Sequence, residues 1–305
     1  MIAVIHFAYG APQSIDDVPA YFSHILGGKP VPPPMLENIV GSFKKPGLPD
    51  FIASSTQRIT RGLEVLLKDR FDEHIKVYNC YKHTAPFVKD AVEQALADGA
   101  TKFVTLPINP IFSEVGGGSV HREVTELVAD KNINVITIND WHTNLNIVNV
   151  YADRVRRAYN WLSAAVRNDA YVLFTVHSQP IDAQRNTPYV QQFEELAAEI
   201  AKAAQIDNYK ITYRSSGGKA NWLAPDVKVA IRELHEKGSR GFVTCELLSL
   251  TADVESFFEI GEECKEVCDE LQAEFALAEY PADSFDTVYA LANLVEQYVT
   301  NEVKA

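Results

Sequence analysis

The strongest constraint on the fold is a strand–helix cycle that runs along the chain twice. Buried-strand runs are expected at 2–8, 75–80, 103–108 and 135–139, then at 171–176, 210–214, 242–247 and 275–279. Amphipathic helical patterns fall between them, at 86–98, 123–130, 147–166, 190–204, 225–236, 254–271 and 285–300. Strands that are apolar throughout are covered on both faces, and their alternation with helices implies parallel sheets joined by right-handed crossovers. The segment 30–49 departs from the cycle. Its Pro32-Pro-Pro34 and Lys44-Lys-Pro-Gly47 mark a proline-rich excursion, of the kind that serves as a lid or binding element.

The two passes also echo one another. Asp98-Gly-Ala-Thr-Lys-Phe-Val-Thr105 is similar to Lys237-Gly-Ser-Arg-Gly-Phe-Val-Thr244, and each follows a helical pattern that opens on a proline, Pro86 or Pro225. Proline suits the first turn of a helix and glycine its left-handed cap. Phe7-Ala-Tyr9-Gly-Ala-Pro12 and Thr175-Val-His177-Ser-Gln-Pro180 both set a polar ring three residues before a proline. Two similar halves facing each other make a cleft with Tyr9 on one wall and His177 on the other. The expected division is 1–145 and 146–305, with the last helix packing back on the first half.

Composition narrows the class. The 305 residues are 47% hydrophobic and 23% charged, enough for two domains or one large fold of two halves. A net charge of −13 argues against a nucleic-acid partner. No apolar run approaches the ~20 residues of a membrane span. Neither the start of the chain nor its end carries a secretion or lipidation signal, so a cytoplasmic protein is expected. Cys80, Cys245, Cys264 and Cys268 form no CxxC pair. Cys264 and Cys268 share a helix face, where packing is the default and a metal contact the alternative.

Four constellations could do chemistry. The run Tyr171-Val-Leu-Phe-Thr-Val-His177 holds an ionisable ring at the carboxyl end of a buried strand, where open α/β sheets place their ligands, and Pro180 is expected to end the pairing. In 253–266, Glu255, Glu259 and Glu263 fall on one face of a regular helix, either a solvated acidic surface or a carboxylate ladder for a hard or first-row cation. Trp222 precedes the helix near Pro225 and follows Arg214-Ser-Ser-Gly-Gly218, offering a flat apolar plate or a hydrophobic staple. In Pro110-Ile-Phe-Ser113-Glu-Val-Gly116-Gly-Gly118-Ser119, three glycines before a helix could bind an anion through backbone N–H groups, but with no nucleotide-binding glycine motif the segment reads as a flexible catalytic loop.

Together these motifs resemble ferrochelatase, the enzyme that inserts ferrous iron into a porphyrin. The resemblance rests on Ala8-Tyr9-Gly-Ala-Pro12, Tyr81-Lys-His-Thr-Ala-Pro86-Phe, Val176-His177-Ser-Gln-Pro180, Trp222-Leu-Ala-Pro-Asp226 and the helix from Glu255 to Glu263, and it spans essentially the whole chain. It implies an α/β, chelatase-like fold of two Rossmann-like halves, each a parallel sheet flanked by helices, with the active-site cleft between them. It further implies the soluble Gram-positive branch, whose substrate is coproporphyrin III, with protoporphyrin IX as the other candidate. By motif, His177 matches the histidine that takes a pyrrole proton or ligates iron, Glu255 the glutamate opposite, and Glu259 and Glu263 an outer acidic ridge. Those four are the expected metal contacts. Tyr9 matches the residue at the other face of the macrocycle, and Ser113 lies on a pocket-lining loop. No permanently bound cofactor is implied; iron and porphyrin are substrates. A monomer is expected, with haem-pathway enzymes or an iron donor as further partners.

The chain also departs from that pattern. Where bacterial relatives usually carry arginines that meet porphyrin propionates, Ile25-Leu-Gly-Gly-Lys29 offers only Lys29, with Lys44 and Lys45 beyond it. Cys245-Glu-Leu-Leu-Ser-Leu250 replaces a proline-rich stretch, and Asp253 stands where a histidine often lies. A carrier that keeps the cleft and has lost turnover is the alternative reading, and a cobalt or sirohydrochlorin chelatase a third.

Overall fold

A run of seven buried residues, Ile2 to Ala8, forms the strand around which the first sheet is built. The computed structural model describes residues 1–43, 48–131, 133–216 and 220–302. Along the chain come β1 (Ile2–Ala8), α1 (Val18–Ile25), α2 (Pro33–Phe43), α3 (Leu48–Lys68), β2 (Ile75–Tyr81), α4 (Val88–Ala97), β3 (Lys102–Pro107), α5 (Ser119–Leu127) and β4 (Asn134–Thr137). Then follow α6 (Leu145–Trp161), α7 (Ala164–Arg167), β5 (Tyr171–His177), α8 (Ala183–Ala204), β6 (Tyr209–Arg214), α9 (Val227–Glu236) and β7 (Gly241–Glu246). The acidic segment is α10 (Val254–Ser256), a π-helical turn (Phe257–Glu262) and α11 (Glu263–Glu270), before β8 (Glu274–Leu277) and α12 (Phe285–Glu302).

Both sheets are parallel and share one topology, β2-β1-β3-β4 and β6-β5-β7-β8. The chain divides into two units: Met1–Asn109 with Glu114–Asn139 and Ala282–Ala305, and Pro110–Ser113 with Asp140–Pro281. Each has its own core. Ile5, Phe7, Val92, Phe103 and Val124 pack in the first, and Leu173, Ile231, Phe242, Ile260 and Cys264 in the second. Within the first unit α12 lies on α3, so closely that a Cβ on Gly62 would meet Val288 at 3.1 Å. Arg58 of α3 pairs with Asp283 just before α12, and Arg70 just after α3 pairs with Glu296 of α12. Among the described residues no helix is long and apolar enough to cross a membrane.

Several expected elements take a different form. The excursion at 30–49 is helical from Pro33 where described: α2 begins at Pro33, which needs no N–H there, and Phe43 at its end is buried against Phe22. Lys44 and Lys45 lie outside the described residues. Pro86 and Pro225 stand just before their helices. Their carbonyls accept the N–H groups of Tyr81 and Tyr213, and the helices start at Val88 and Val227. The caps behave as expected, with Gly99 and Gly238 at φ +87 and +108. Glu114–Gly118 winds into a π-helical turn leading straight into α5, rather than a loose loop. The acidic helix is likewise interrupted by its π turn, so its glutamates do not keep the regular i, i+4, i+8 alignment.

Candidate active site

The centre of the second sheet delivers His177. β5 runs between β6 and β7, and its last residue pairs with Arg214, the last residue of β6. Two hydrogen bonds hold the backbone at this strand end. Ser178 N–H donates to Arg214 carbonyl at 2.8 Å, and the Tyr189 hydroxyl donates to His177 carbonyl at 2.8 Å. Pro180 does not end the pairing: it forms an antiparallel bridge with Trp222, because flanking residues supply the donors, Ile181 N–H to Asn221 and Leu223 N–H to Gln179. Trp222 is thereby held with its ring centroid 6.5 Å from that of His177.

Hydrogen bonding settles the tautomer. Nδ1 of His177 faces the carbonyl of Ser178, which can only accept, so Nδ1 carries a hydrogen. Nε2 is therefore the nitrogen that gains or gives up a proton, and it lies 3.3 Å from Oε2 of Glu255. The side chains are 32% and 50% exposed, half-open to an incoming ligand. Burial opposes a charged His177, and Arg214 opposes it further, yet the hydrogen bond to Glu255 wins and its pKa lies above the usual histidine value. Burial likewise works against ionised Glu255, but His177 and Arg214 hold its pKa below the ordinary carboxylate range. The two form an ion pair.

Beneath that pair sits a group that the sequence motifs did not single out. Arg214 is 1% exposed and meets three carboxylates. Its Nε donates to Glu246 at 2.9 Å, Nη2 to Asp253 at 2.6 Å, and Nη1 to Glu255 at 3.5 Å. Glu246 ends β7 and is buried, and burial pushes its pKa up to about 7 although Arg214 pulls it down. A signal did exist: β6 and β7 flank β5, and both end on a charge, one of each sign.

The outer ridge is already partnered. Glu259 accepts from the Ser215 N–H and, at 2.8 Å, from its hydroxyl, and burial raises its pKa against those bonds. Glu263 is ion-paired with Lys228. Among the described residues no group of three or more histidine, cysteine, aspartate or glutamate side chains is placed to hold a metal ion. Cys264 and Cys268 are core residues whose thiols burial holds protonated. Elsewhere, Tyr9 is 46% exposed and lies over His83, with centroids 4.4 Å apart. Lys29 is exposed just after the Gly27–Gly28 turn, and Ser113 is half-buried next to Phe112, whose N–H donates to Gln192.

Comparison with known proteins identifies the family. The Ferrochelatase family model matches residues 1–299. A coproporphyrin III ferrochelatase of Oceanobacillus iheyensis is 28% identical over 99% of this chain and 98% of its own length. One from Bacillus mycoides is 31% identical, covering 96% of each. Among solved structures, SirB from Bacillus subtilis with Fe3+ superimposes with a TM-score of 0.62 at 12% identity, over 99% of this chain and 97% of that one. A sirohydrochlorin chelatase SirB from Bacillus subtilis subspecies spizizenii, in complex with cobalt, gives 0.58 at 11% identity over 98% and 96%. At that identity the structures share the fold alone. The matched sequence, nearly end to end, places the chain in the ferrochelatase family, enzymes that insert iron into a porphyrin.

Proposed function

We propose that this chain inserts ferrous iron into coproporphyrin III, with His177 and Glu255 as the reacting groups, and that it works in the cytoplasm as a monomer. The observation that carries the reading is the His177–Glu255 pair at 3.3 Å, half-exposed on a rigid strand end. Two pyrrole N–H protons must leave as the metal enters, so a base is needed near the ring centre. Nε2 of His177 serves as that base once its proton has passed to solvent, because Nδ1 stays committed to Ser178. The carboxylate of Glu255 carries the compensating charge and offers an oxygen to incoming iron, which must exchange water for nitrogen. Trp222, fixed beside the histidine, supplies an apolar plate for the macrocycle.

The coproporphyrin assignment draws on relatives that carry that name and cover the chain almost completely. The test adds ferrous iron anaerobically to protein loaded with coproporphyrin III or protoporphyrin IX and follows the absorbance of metallated product. Faster metallation of coproporphyrin III is expected. Binding of both porphyrins without metallation of either would replace the enzyme by a carrier.

A further inference from the structure

We propose that Arg214 is a positioning residue for iron insertion: it fixes the orientation of Glu255, so that one carboxylate oxygen is committed and the other is presented to the metal. The inference rests on the reading of His177 and Glu255 as the insertion site.

Three observations lead to it. The guanidinium is anchored on two arms before it reaches the site. Glu246 takes Nε through one oxygen while its other accepts the Leu248 N–H at 3.1 Å. Asp253 takes Nη2 through Oδ2 while Oδ1 caps the helix at the Ser256 N–H, 2.8 Å away. Both carboxylates are thus held by backbone, and a planar fork with two arms fixed has its third direction fixed as well. That third nitrogen, Nη1, points at Glu255.

Secondly, Nη1 and His177 Nε2 converge on the same oxygen, Oε2 of Glu255, at 3.5 and 3.3 Å. Oε1 takes no protein donor among the described residues. A half-exposed glutamate free of such a contact samples several rotamers, and a metal-binding carboxylate works best when its partners have already chosen one.

Thirdly, the fold does not require the network. Strand registers place Lys82 of the first unit at the position of Arg214, and Pro107 at that of Glu246. The same four-stranded sheet stands there with no buried ion pair at those two positions. Desolvating an arginine and a glutamate is costly, and apolar residues in their place are often as stable. The second unit carries that cost next to its reacting pair. Glu246 and Asp253 also fall in the two stretches, 245–250 and Asp253, where the sequence leaves the family pattern, and both serve the same arginine.

The test measures ferrous-iron KM, kcat and porphyrin affinity, together with cobalt(II) titration of porphyrin-free protein followed by its visible bands. It uses Glu255→Gln, Arg214→Lys, and Arg214→Gln combined with Glu246→Gln, which removes the buried carboxylate that would otherwise lose its counter-charge. The double variant is expected to raise the iron KM and weaken cobalt binding by roughly 10–100-fold, with porphyrin affinity unchanged. Arg214→Lys keeps a charge opposite Glu246 and hence the fold, but one ammonium cannot serve three carboxylates, so an intermediate loss is expected. It carries the test alone if the double variant does not fold. Wild-type iron KM, kcat and cobalt binding in the Arg214 variants, with Glu255→Gln impaired, would overturn the proposal. So would a loss of porphyrin affinity that accounts for the whole loss of turnover. A fully active Glu255→Gln would instead overturn the site reading beneath it.

Discussion

The two units share a sheet topology and differ in what they bury at its carboxyl edge. Matching registers align Tyr9 with His177, Lys82 with Arg214, Pro107 with Glu246 and Thr105 with Thr244. Each unit also follows its third strand with a π-helical turn, glycine-rich in the first and carrying Glu259 in the second. The first unit buries neutral histidines: His6 bonded to Thr60, and His121 to Thr105. Its Lys82 donates to the carbonyl of Val115. The second buries Arg214 with Glu246 and sets His177 and Glu255 above them. One scaffold tolerates either interior, so the ionic cluster is not a need of the sheet, which fits the chemistry proposed for that edge.

The sharpest way to break this contrast is to exchange the equivalent ring residues. His177→Ala should cost roughly 10²–10⁴-fold in iron insertion while leaving porphyrin binding nearly intact, because a positioned base is lost and the binding plate remains. Tyr9→Phe should cost far less, since it keeps the ring against His83 and removes only the hydroxyl. Steady-state metallation by purified variants measures both. A Tyr9→Phe loss as large as that of His177→Ala would make the two edges catalytically equal.

Next in size is the stability difference between Arg214 and Lys82. Arg214→Ala leaves buried Glu246 without its counter-charge, and breaking such a pair costs about 3–5 kcal/mol. Adding Glu246→Gln should recover much of that, a coupling that a double-mutant cycle in denaturant reads directly. Lys82→Ala, half-exposed and bonded to one carbonyl, should cost about 1 kcal/mol. Equal costs for Arg214→Ala with and without Glu246→Gln would mean that the pair does not act as a unit.

How far the sequence exposes these features follows from how local each one is. β1 and β5 are apolar runs with clear ends, and His177 at the end of one is visible without any tertiary information. The helix α3 is not. It carries Ser54, Ser55, Thr56 and Thr60, residues poor in helix propensity, and it is held by tertiary contacts such as Thr60 with His6 and Gly62 against α12. The proline run at 32–34 hides α2 for the same reason: a helix start and a proline-rich loop share a composition. Placing Glu255, Glu259 and Glu263 on one stripe assumes 3.6 residues per turn, and the π turn defeats it, sending the Ile260 carbonyl to the Thr244 hydroxyl. Arg214 escapes because its partners are 32, 39 and 41 residues away, beyond any local pattern.

The two units should also respond to pH with opposite signs. In the first, burial depresses His6 and His121 to about 4, and burial with help from Lys82 and His24 does the same to His83. An Nε2 on each has no partner among the described residues, consistent with neutral rings. Between 6.5 and about 4 the unfolded chain binds more protons than the folded one, so stability present above 6.5 is lost as pH falls, by at most roughly 3 kcal/mol per group. In the second unit Glu246 is raised to about 7 by burial, and the folded state binds the extra proton between 4.5 and 7. Its stabilising effect is present below 4.5 and lost as pH rises through 7; His177, also raised, acts in the same sense. Amide hydrogen exchange resolved by peptide should show first-unit core amides loosening from pH 6.5 to 4, and β5–β7 amides loosening on the alkaline side. Parallel changes in both units would refute the assignment of opposite interiors.

The smallest expected effect lies at the outer end of the acidic segment, where the second unit stops differing from an ordinary surface. Glu263 is partly exposed and paired with Lys228, itself next to the helix-capping Asp226. An ion pair this open to solvent is worth about 0–1 kcal/mol and is screened by salt. Glu259 is tied to Ser215 through both oxygens, so the two outer glutamates are occupied by protein donors whereas Glu255 keeps one oxygen for a ligand. Glu263→Gln and Lys228→Ala should therefore leave kcat and melting temperature nearly unchanged, with any rise in iron KM confined to low salt. Glu259→Gln should cost more than Glu263→Gln, because the half-buried hydroxyl and N–H of Ser215 lose a charged acceptor. The iron KM measured for each variant at two ionic strengths decides the matter. If Glu263→Gln raises it as strongly as Glu255→Gln, iron is handed along the whole acidic face, and the boundary between reacting pair and surface moves outward by two helical turns.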